Sequence, residues 1–186
     1  MVYVISDTHF LHDNIINYCD RPQNHNQIMI KNWVSVVKPE DTIIHLGDVA
    51  CGFKGREDKL ESIFKILTGH KILIKGNHDT RDNDFYYNLG FEKINEYFII
   101  NNILLSHYPL ITSINDKKEV RDKIYELFEV FSSKNCSYHI HGHTHRKHSL
   151  LPCAFNCSVE RINYTPITIE KCLENLKPFQ RNFEGI

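Results

Sequence analysis

Five short pieces of this chain carry side chains suited to metal chemistry: Asp7-Thr8-His9, Gly47-Asp48, Gly76-Asn77-His78-Asp79, His107 and Gly142-His143-Thr144-His145. Together they supply three carboxylates, five histidines and one amide. That is enough nitrogen and oxygen donors to hold two divalent ions side by side. Neutral imidazole is the commonest metal ligand among side chains. A donor set of His, Asp and Asn without thiolate suits Mn, Fe, Zn, Co or Ni better than a thiolate-selected metal. Two such ions, about 3.5–4 Å apart, clamp the attacking and leaving oxygens of an in-line displacement, and a bound water gives up its proton near neutral pH. The chemistry to expect is hydrolysis of a phosphate ester.

Each piece alone has a bland reading. A lone Asp-x-His is more often a solvated turn, and Asp48 alone reads as an N-cap or turn residue. Gly-Asn-His-Asp alone is a polar turn as readily as a site, and His107 alone is a satisfied structural histidine. The set outweighs its parts because every piece follows a stretch that reads as a β-strand. Ligands of open α/β sheets gather beyond the carboxyl ends of strands. In extended backbone, residues two apart point the same way, so Asp7 with His9, and His143 with His145, can each face one centre.

The strands expected are Val2–Ser6, Thr42–Leu46, Lys71–Lys75, Tyr138–His141 and a hairpin of Phe91–Ile100 with Ile103–Ser106 around Asn101-Asn102. Ser149–Leu151 and Phe155–Val159 look like later strands. Helical spacing covers Ile15–Cys19, Gln27–Val37, Glu57–Leu67, Asp84–Leu89, Lys117–Phe131 and Thr168–Leu176. Strands first alternate with helices and then come in runs, the pattern of a mixed sheet system with helices outside.

The chain has 186 residues and a formal net charge of -1. That length suits one domain spanning residues 1–186, with no linker or repeat. The near-neutral balance gives no global basic field for nucleic acid or a membrane surface, and no window approaches a bilayer span. Twelve histidines are the compositional anomaly; His25, His70 and His148 are read as chance or surface residues. The six cysteines form no C-x-x-C or zinc-finger spacing. Cys153 and Cys157 are read as free thiols rather than a metal clip. The expected location is the cytoplasm, with reduced thiols.

The order D-x-H, G-D, G-N-H-D, H, G-H-x-H over residues 3 to about 146 resembles the calcineurin-like metallophosphoesterases. The resemblance implies an α/β (α+β) fold, a four-layer α-β-β-α sandwich of two mixed β-sheets flanked by helices. It implies a first metal held by Asp7, His9, Asp48 and His145. Asp48 would bridge to a second metal, completed by Asn77, His107 and His143. His78 matches the family's catalytic histidine, with Asp79 as the partner that orients its ring. The stretch from Asp7 to Ile16 resembles a compact subgroup in which Gly is usual where Leu11 stands. His12 and Arg21 are candidates to contact substrate phosphate, Arg21 as a bidentate clamp. Arg146 adjoins the second ligand loop, and His139 and His141 read as supporting or core residues.

The function expected is a binuclear, metal-dependent phosphoesterase, with manganese the first choice of ion. The substrate expected is a phosphodiester such as a nucleotide-like or cyclic ester. Phosphomonoester hydrolysis is the alternative within the class. A non-catalytic metal-containing docking module is the alternative outside it. Duplex nucleic acid is disfavoured as a partner, because backbone binding needs several cationic contacts. Oligomeric state is not legible, since an apolar helix face reads the same in a core and at a dimer seam.

Overall fold

The computed structural model describes residues 1–111 and 117–180. The first sheet is built from β1 (Val2–Ile5), β2 (Thr42–His45), β3 (His70–Ile74), β4 (Phe91–Asn95) and, later, β9 (Ile167–Thr168). The second is built from β5 (Tyr97–Ile100), β6 (Ile103–Ser106), β7 (Tyr138–His141) and β8 (Ala154–Asn156). The helices are α1 (Ile15–Cys19), α2 (His25–Val36), α3 (Glu57–Ile66), α4 (Asn83–Asn88), α5 (Lys118–Ser133) and α6 (Ile169–Leu173).

Strand order in the first sheet is β4-β3-β2-β1-β9. Its first four strands are parallel, and β9 closes the edge antiparallel to β1. The second sheet runs β5-β6-β7-β8, with β5 antiparallel to β6 and the rest parallel. Both sheets are therefore mixed, as expected. Ile43, Ile44 and His45 are all buried on the central β2, the signature of a parallel strand covered on both faces.

The alternation of side chains along β6 sets the layers. Ile103 and Leu105 join one core with Val4, Ile5, Met29, Trp33, Leu60 and Phe64, which brings both sheets, α2 and α3 together. Leu104 points the other way, into a second cluster with Leu127 and Phe131 of α5. Trp33 is fully buried and donates Nε1–H to Thr68 O at 2.9 Å, so its one polar atom is satisfied inside the core.

Three sequence expectations shift. The stretch 91–100 is not one strand of a hairpin: it divides at Glu96, with β4 in the first sheet and β5 in the second. The stretch contains no Gly or Pro, so nothing local marks such a crossing. Residues 149–151 form no strand, and Thr168 begins a helix of only five residues, Ile169–Leu173. His25 is buried rather than on the surface, with Nδ1 3.3 Å from Pro22 O. No helix among the described residues is long and apolar enough to cross a membrane.

Candidate active site

The five polar pieces all lie at carboxyl ends of strands. Asp7 to His9 follow β1, Gly47-Asp48 follow β2, and Gly76 to Asp79 follow β3, three parallel neighbours. His107 follows β6 and Gly142 to His145 follow β7, parallel neighbours in the other sheet. The backbone there is not extended. Asp7 (φ 57°), His9 (φ 45°), Asp48 (φ 56°), His143 (φ 66°) and His145 (φ 48°) all occupy the left-handed region. Side chains converge because each loop coils tightly, not because of strand alternation. Such outliers cost free energy and cluster at functional sites. Leu11 also takes φ 63°, the conformation that favours glycine, although it is a buried leucine.

The loops interlock through very close approach. A Cβ on Gly47 would stand 2.5 Å from Gly76 N and 2.7 Å from His107 Nδ1. A Cβ on Gly142 would overlap Ser6 Oγ and Asp7 Oδ2. Each carboxylate ties to another loop's amide. Asp7 Oδ2 accepts from His143 N (2.9 Å), with Asp7 Oδ1 3.2 Å from the same nitrogen, and Asp48 Oδ1 accepts from His78 N (2.8 Å).

The carboxylates also face histidines. Asp48 Oδ2 lies 3.4 Å from His9 Nε2 and 3.6 Å from His107 Nε2, and Asp7 Oδ1 lies 4.0 Å from His145 Nε2. Asp7, His9 and His145 bring ligand atoms within 4.8 Å of one another, and so do Asp7, Asp48 and His107. His107 Nδ1 lies 2.8 Å from Leu46 O. That carbonyl can only accept, so Nδ1 carries the proton and Nε2 a lone pair. The lone pair faces Asn77 Oδ1 at 3.1 Å and His143 Nδ1 at 3.2 Å. His9 is 1% exposed, and neither ring nitrogen makes a well-formed hydrogen bond. His107 Nε2, Asn77 Oδ1 and Asp48 Oδ2 crowd together with at most the His143 Nδ1 proton among them. Crowded acceptors are costly, and divalent cations among them would remove that cost. The donor set fits two such ions.

The electrostatics follow from burial and crowding. Burial acts to raise the carboxyls, but the surrounding imidazoles outweigh it and hold Asp7 and Asp48 below the usual range. Burial, helped by His107, lowers His143 to about 4. His145 goes the other way: burial lowers it, yet Cys19, Glu160 and Asp7 push it up to about 10.

His78 is exposed, with its ring 5.2 Å from that of His9 and Nδ1 3.8 Å from Cys51 Sγ. Asp79 does not orient that ring. It is buried, and its carboxylate accepts from three backbone amides: Asp48 N (2.7 Å), Gly76 N (2.8 Å) and Val49 N (3.0 Å). It fastens the second ligand loop to the third. Arg21 does not face a substrate either. Its guanidinium is fully buried and donates to Thr8 O, Asp7 O and Glu160 Oε1 at 2.6–2.8 Å. Every edge of the fork is used behind the first ligand loop. His12 is half-buried at the mouth, its ring 5.5 Å from His9 and 6.2 Å from Tyr18. Arg146 pairs with Asp20 at 2.9 Å on the rim.

His139 and His141 are buried. Each uses a serine, at 2.8 Å (Ser106 Oγ) and 2.7 Å (Ser149 Oγ), as a partner.

Three supporting residues that sequence reasoning missed come from one segment, residues 156–160. Glu160 Oε1 holds His145 Nδ1 at 3.2 Å while taking charge from Arg21. Ser158 Oγ stands 2.9 Å from Asp7 Oδ2. Asn156 Nδ2 reaches Thr144 Oγ1, His145 O and Lys147 O at 2.8–2.9 Å, and its Oδ1 accepts from Ser158 N at 2.9 Å. Single polar residues so far along the chain from their partners carry no local signal. His45 was missed as well. Its Nδ1 accepts from Gly47 N (3.1 Å), so Nε2–H donates to Thr8 Oγ1 (2.9 Å), which donates to Val49 O (2.7 Å).

A cluster of buried imidazoles and carboxylates at converging parallel strand ends defines a hydrolase built around divalent metals. The family model of the calcineurin-like phosphoesterase superfamily domain matches residues 1–159, and the chain belongs to that family of metal-dependent phosphoesterases. It is 33% identical over 184 residues to an uncharacterised protein of Methanocaldococcus jannaschii, covering 91% of this chain and 87% of that one. It is 30% identical over 164 residues to the Gene 66 protein of Mycobacterium phage L5, covering 75% of each. A crystal structure of a protein of unknown function from Aquifex aeolicus superposes with a TM-score of 0.78 at 36% identity, covering 92% of this chain and 96% of that one.

Proposed function

We propose that this domain, taken as residues 1–186, hydrolyses phosphodiesters of the nucleotide-like or cyclic kind in the cytoplasm, using two manganese ions. The observation that carries the reading is the set of converging ligand atoms: Asp48 Oδ2, His107 Nε2, Asn77 Oδ1 and His143 Nδ1, with the Nδ1 proton of His107 committed to Leu46 O so that its Nε2 is the atom offered. Asp7, His9, Asp48 and His145 would hold one ion, and Asp48, Asn77, His107 and His143 the other. When bound, the ions activate a water and offset charge on the phosphoryl oxygens.

The chain's own residues do the rest. Asp48 keeps Oδ1 on the His78 amide, so its Oδ2 is aimed, and the Asp7 carboxylate is held by the His143 amide through both oxygens. His107 is aimed by Leu46 O and His145 by Glu160, the outer contacts that fix ligand tautomer and orientation. His78 stands clear of the buried cluster with an exposed ring. It can protonate the leaving alkoxide or donate to a nonbridging oxygen. Its exposure, beside the exposed Asn77, leaves the strand ends open enough for a two-armed ester. The six free cysteines suit a reducing compartment.

The test is Mn²⁺-dependent release of p-nitrophenol from bis(p-nitrophenyl) phosphate and from p-nitrophenyl phosphate, with Asn77→Ala as control. Faster release from the diester, lost in the variant, supports the reading. Faster release from the monoester replaces it with a phosphatase. No variant-sensitive release from either, across Mn, Co, Ni and Zn, favours a docking module.

A further inference from the structure

A cavity of about 510 Å³ opens directly beside the ligand loop, and His143 and His145 form part of its wall. Its volume is of the size that buries a compact organic ligand, far more than a phosphate needs. Pro109, Leu110 and Ile111 from the loop after β6, and Leu150 and Leu151 from the loop after β7, make one side apolar. Ile111 is 38% exposed, Leu150 78% and Tyr18 73%. These are three of the large hydrophobic residues left in water among the described residues, and all three ring this one opening. Exposed apolar groups gathered round a concavity mark a binding surface rather than scattered surface residues.

The lining also carries polar groups. Arg146 lines the cavity with its guanidinium held by Asp20, and the exposed Tyr18 lines it too. A planar cation and an exposed phenol are stacking surfaces for an aromatic ring. Lys147 adds a donor, and Ser149, whose proton goes to His141 Nε2, adds an acceptor.

We infer that this cavity is the subsite for the organic arm of the substrate: a nucleoside-sized alcohol with an aromatic ring, esterified to the phosphate held beside His143 and His145. The inference rests on the phosphoesterase reading and narrows its substrate class. Apolar walls, stacking groups and immediate continuity with the ligand histidines together select a bulky arm over a methyl or a bare phosphate. Ile111 and Leu150 set that preference.

The test uses two diesters with the same leaving group, thymidine 5′-(p-nitrophenyl phosphate) and methyl p-nitrophenyl phosphate, with wild-type protein and the Ile111→Asp/Leu150→Asp double variant. Leu150 is largely in water and Ile111 is 38% exposed; the melting temperature of the double variant checks its fold, and Leu150→Asp alone carries the same comparison if the double variant melts early. The wild type is expected to prefer the nucleoside ester by about tenfold or more in kcat/KM, and the double variant to lose most of that ratio. An equal ratio in the two proteins overturns the subsite while leaving the phosphoesterase standing. Loss of turnover on both esters in the wild type overturns the phosphodiesterase reading instead. Calorimetric titration with thymidine 5′-monophosphate then decides the cavity without turnover. Binding weakened about tenfold in the double variant supports it, and equal binding, or none in the wild type, overturns it.

Discussion

Asn156→Asp is the sharpest probe of how the ligand loop is held, because it keeps the shape and reverses the hydrogen-bond chemistry. The Asn156 amide points its nitrogen at Thr144 Oγ1, His145 O and Lys147 O, and its oxygen at Ser158 N. Two backbone carbonyls on one side and one N–H on the other fix which end is nitrogen. An aspartate can still accept from Ser158 but has no proton for the carbonyls. Two donated bonds are lost, at about 1 kcal/mol each, and a carboxylate oxygen is forced against carbonyls. The sum is about 3 kcal/mol, which lowers Tm by roughly 6–12 °C for a chain of this size. The released loop carries His143 and His145, both in left-handed backbone, so it relaxes when unpinned. Mn²⁺ affinity by calorimetry is expected to fall about 10- to 100-fold, as for other outer-shell changes. A melting temperature within about 2 °C of wild type with unchanged metal affinity would show that Asn156 does not pin the loop.

Four further outcomes are expected. Arg21→Lys removes the fork behind Asp7 and leaves Glu160 underpaired, so stability drops by about 3 kcal/mol and metal affinity falls. A selective rise in KM with neither loss would return Arg21 to the role of phosphate clamp. His78→Gln is expected to lower kcat about 10²- to 10⁴-fold with metal content, read by elemental analysis, unchanged; full activity would remove His78 from the chemistry. Gly142→Ala drives a methyl into Ser6 and Asp7, costing about 1–3 kcal/mol and about 10²-fold in kcat/KM if the loop moves by about 1 Å. Wild-type values in urea melts and assays would show that the loop has slack. Finally, burial holds His45 at about 3 and His141 at about 4, so the unfolded chain takes up protons first as pH falls below the ordinary histidine value of about 6.5. Metal-free protein should lose urea stability from about pH 6.5 down to about 4. Asp79, raised to about 6 by burial and by Asp48, opposes this with a single group. A flat profile would mean these imidazoles are hydrated in the folded state.

What the sequence made legible was the family, the strand ends and the polar pieces that gather beyond them, because these are written locally: short apolar runs, then Gly, Asp, Asn or His. Three things were not. The backbone of Asp7-Thr8-His9 is coiled rather than extended, since no residue there but the ligands themselves reports its left-handed φ values. Asp79 sits next to His78 in sequence and so looks like its orienter, yet its oxygens are claimed by amides 30 and 31 residues away as well as by Gly76. Arg21 and Glu160 meet across 139 residues, a separation at which neither residue type announces the other. The division of residues 91–100 between two sheets failed for a related reason. Phe91 to Ile100 runs without a Gly or Pro, and strand-forming residues report that a segment pairs, not which sheet it pairs with.

The left-handed residues at Asp7, His9, Asp48, His143 and His145 also bear on how this molecule can change. At each, the backbone alone would prefer glycine, by about 1 kcal/mol or more. At Asp7, Asp48 and His145 the side chains' bonds to His143 N, His78 N and Glu160 oppose that preference; the His9 ring has no well-formed hydrogen bond to oppose it. Selection for robustness alone, in the laboratory or over generations, therefore pulls His9 first toward the one residue that can hold nothing, and a stability screen of this chain without an activity filter should recover glycine there before the other four. Variants gathered that way would chart the centre by what they discard.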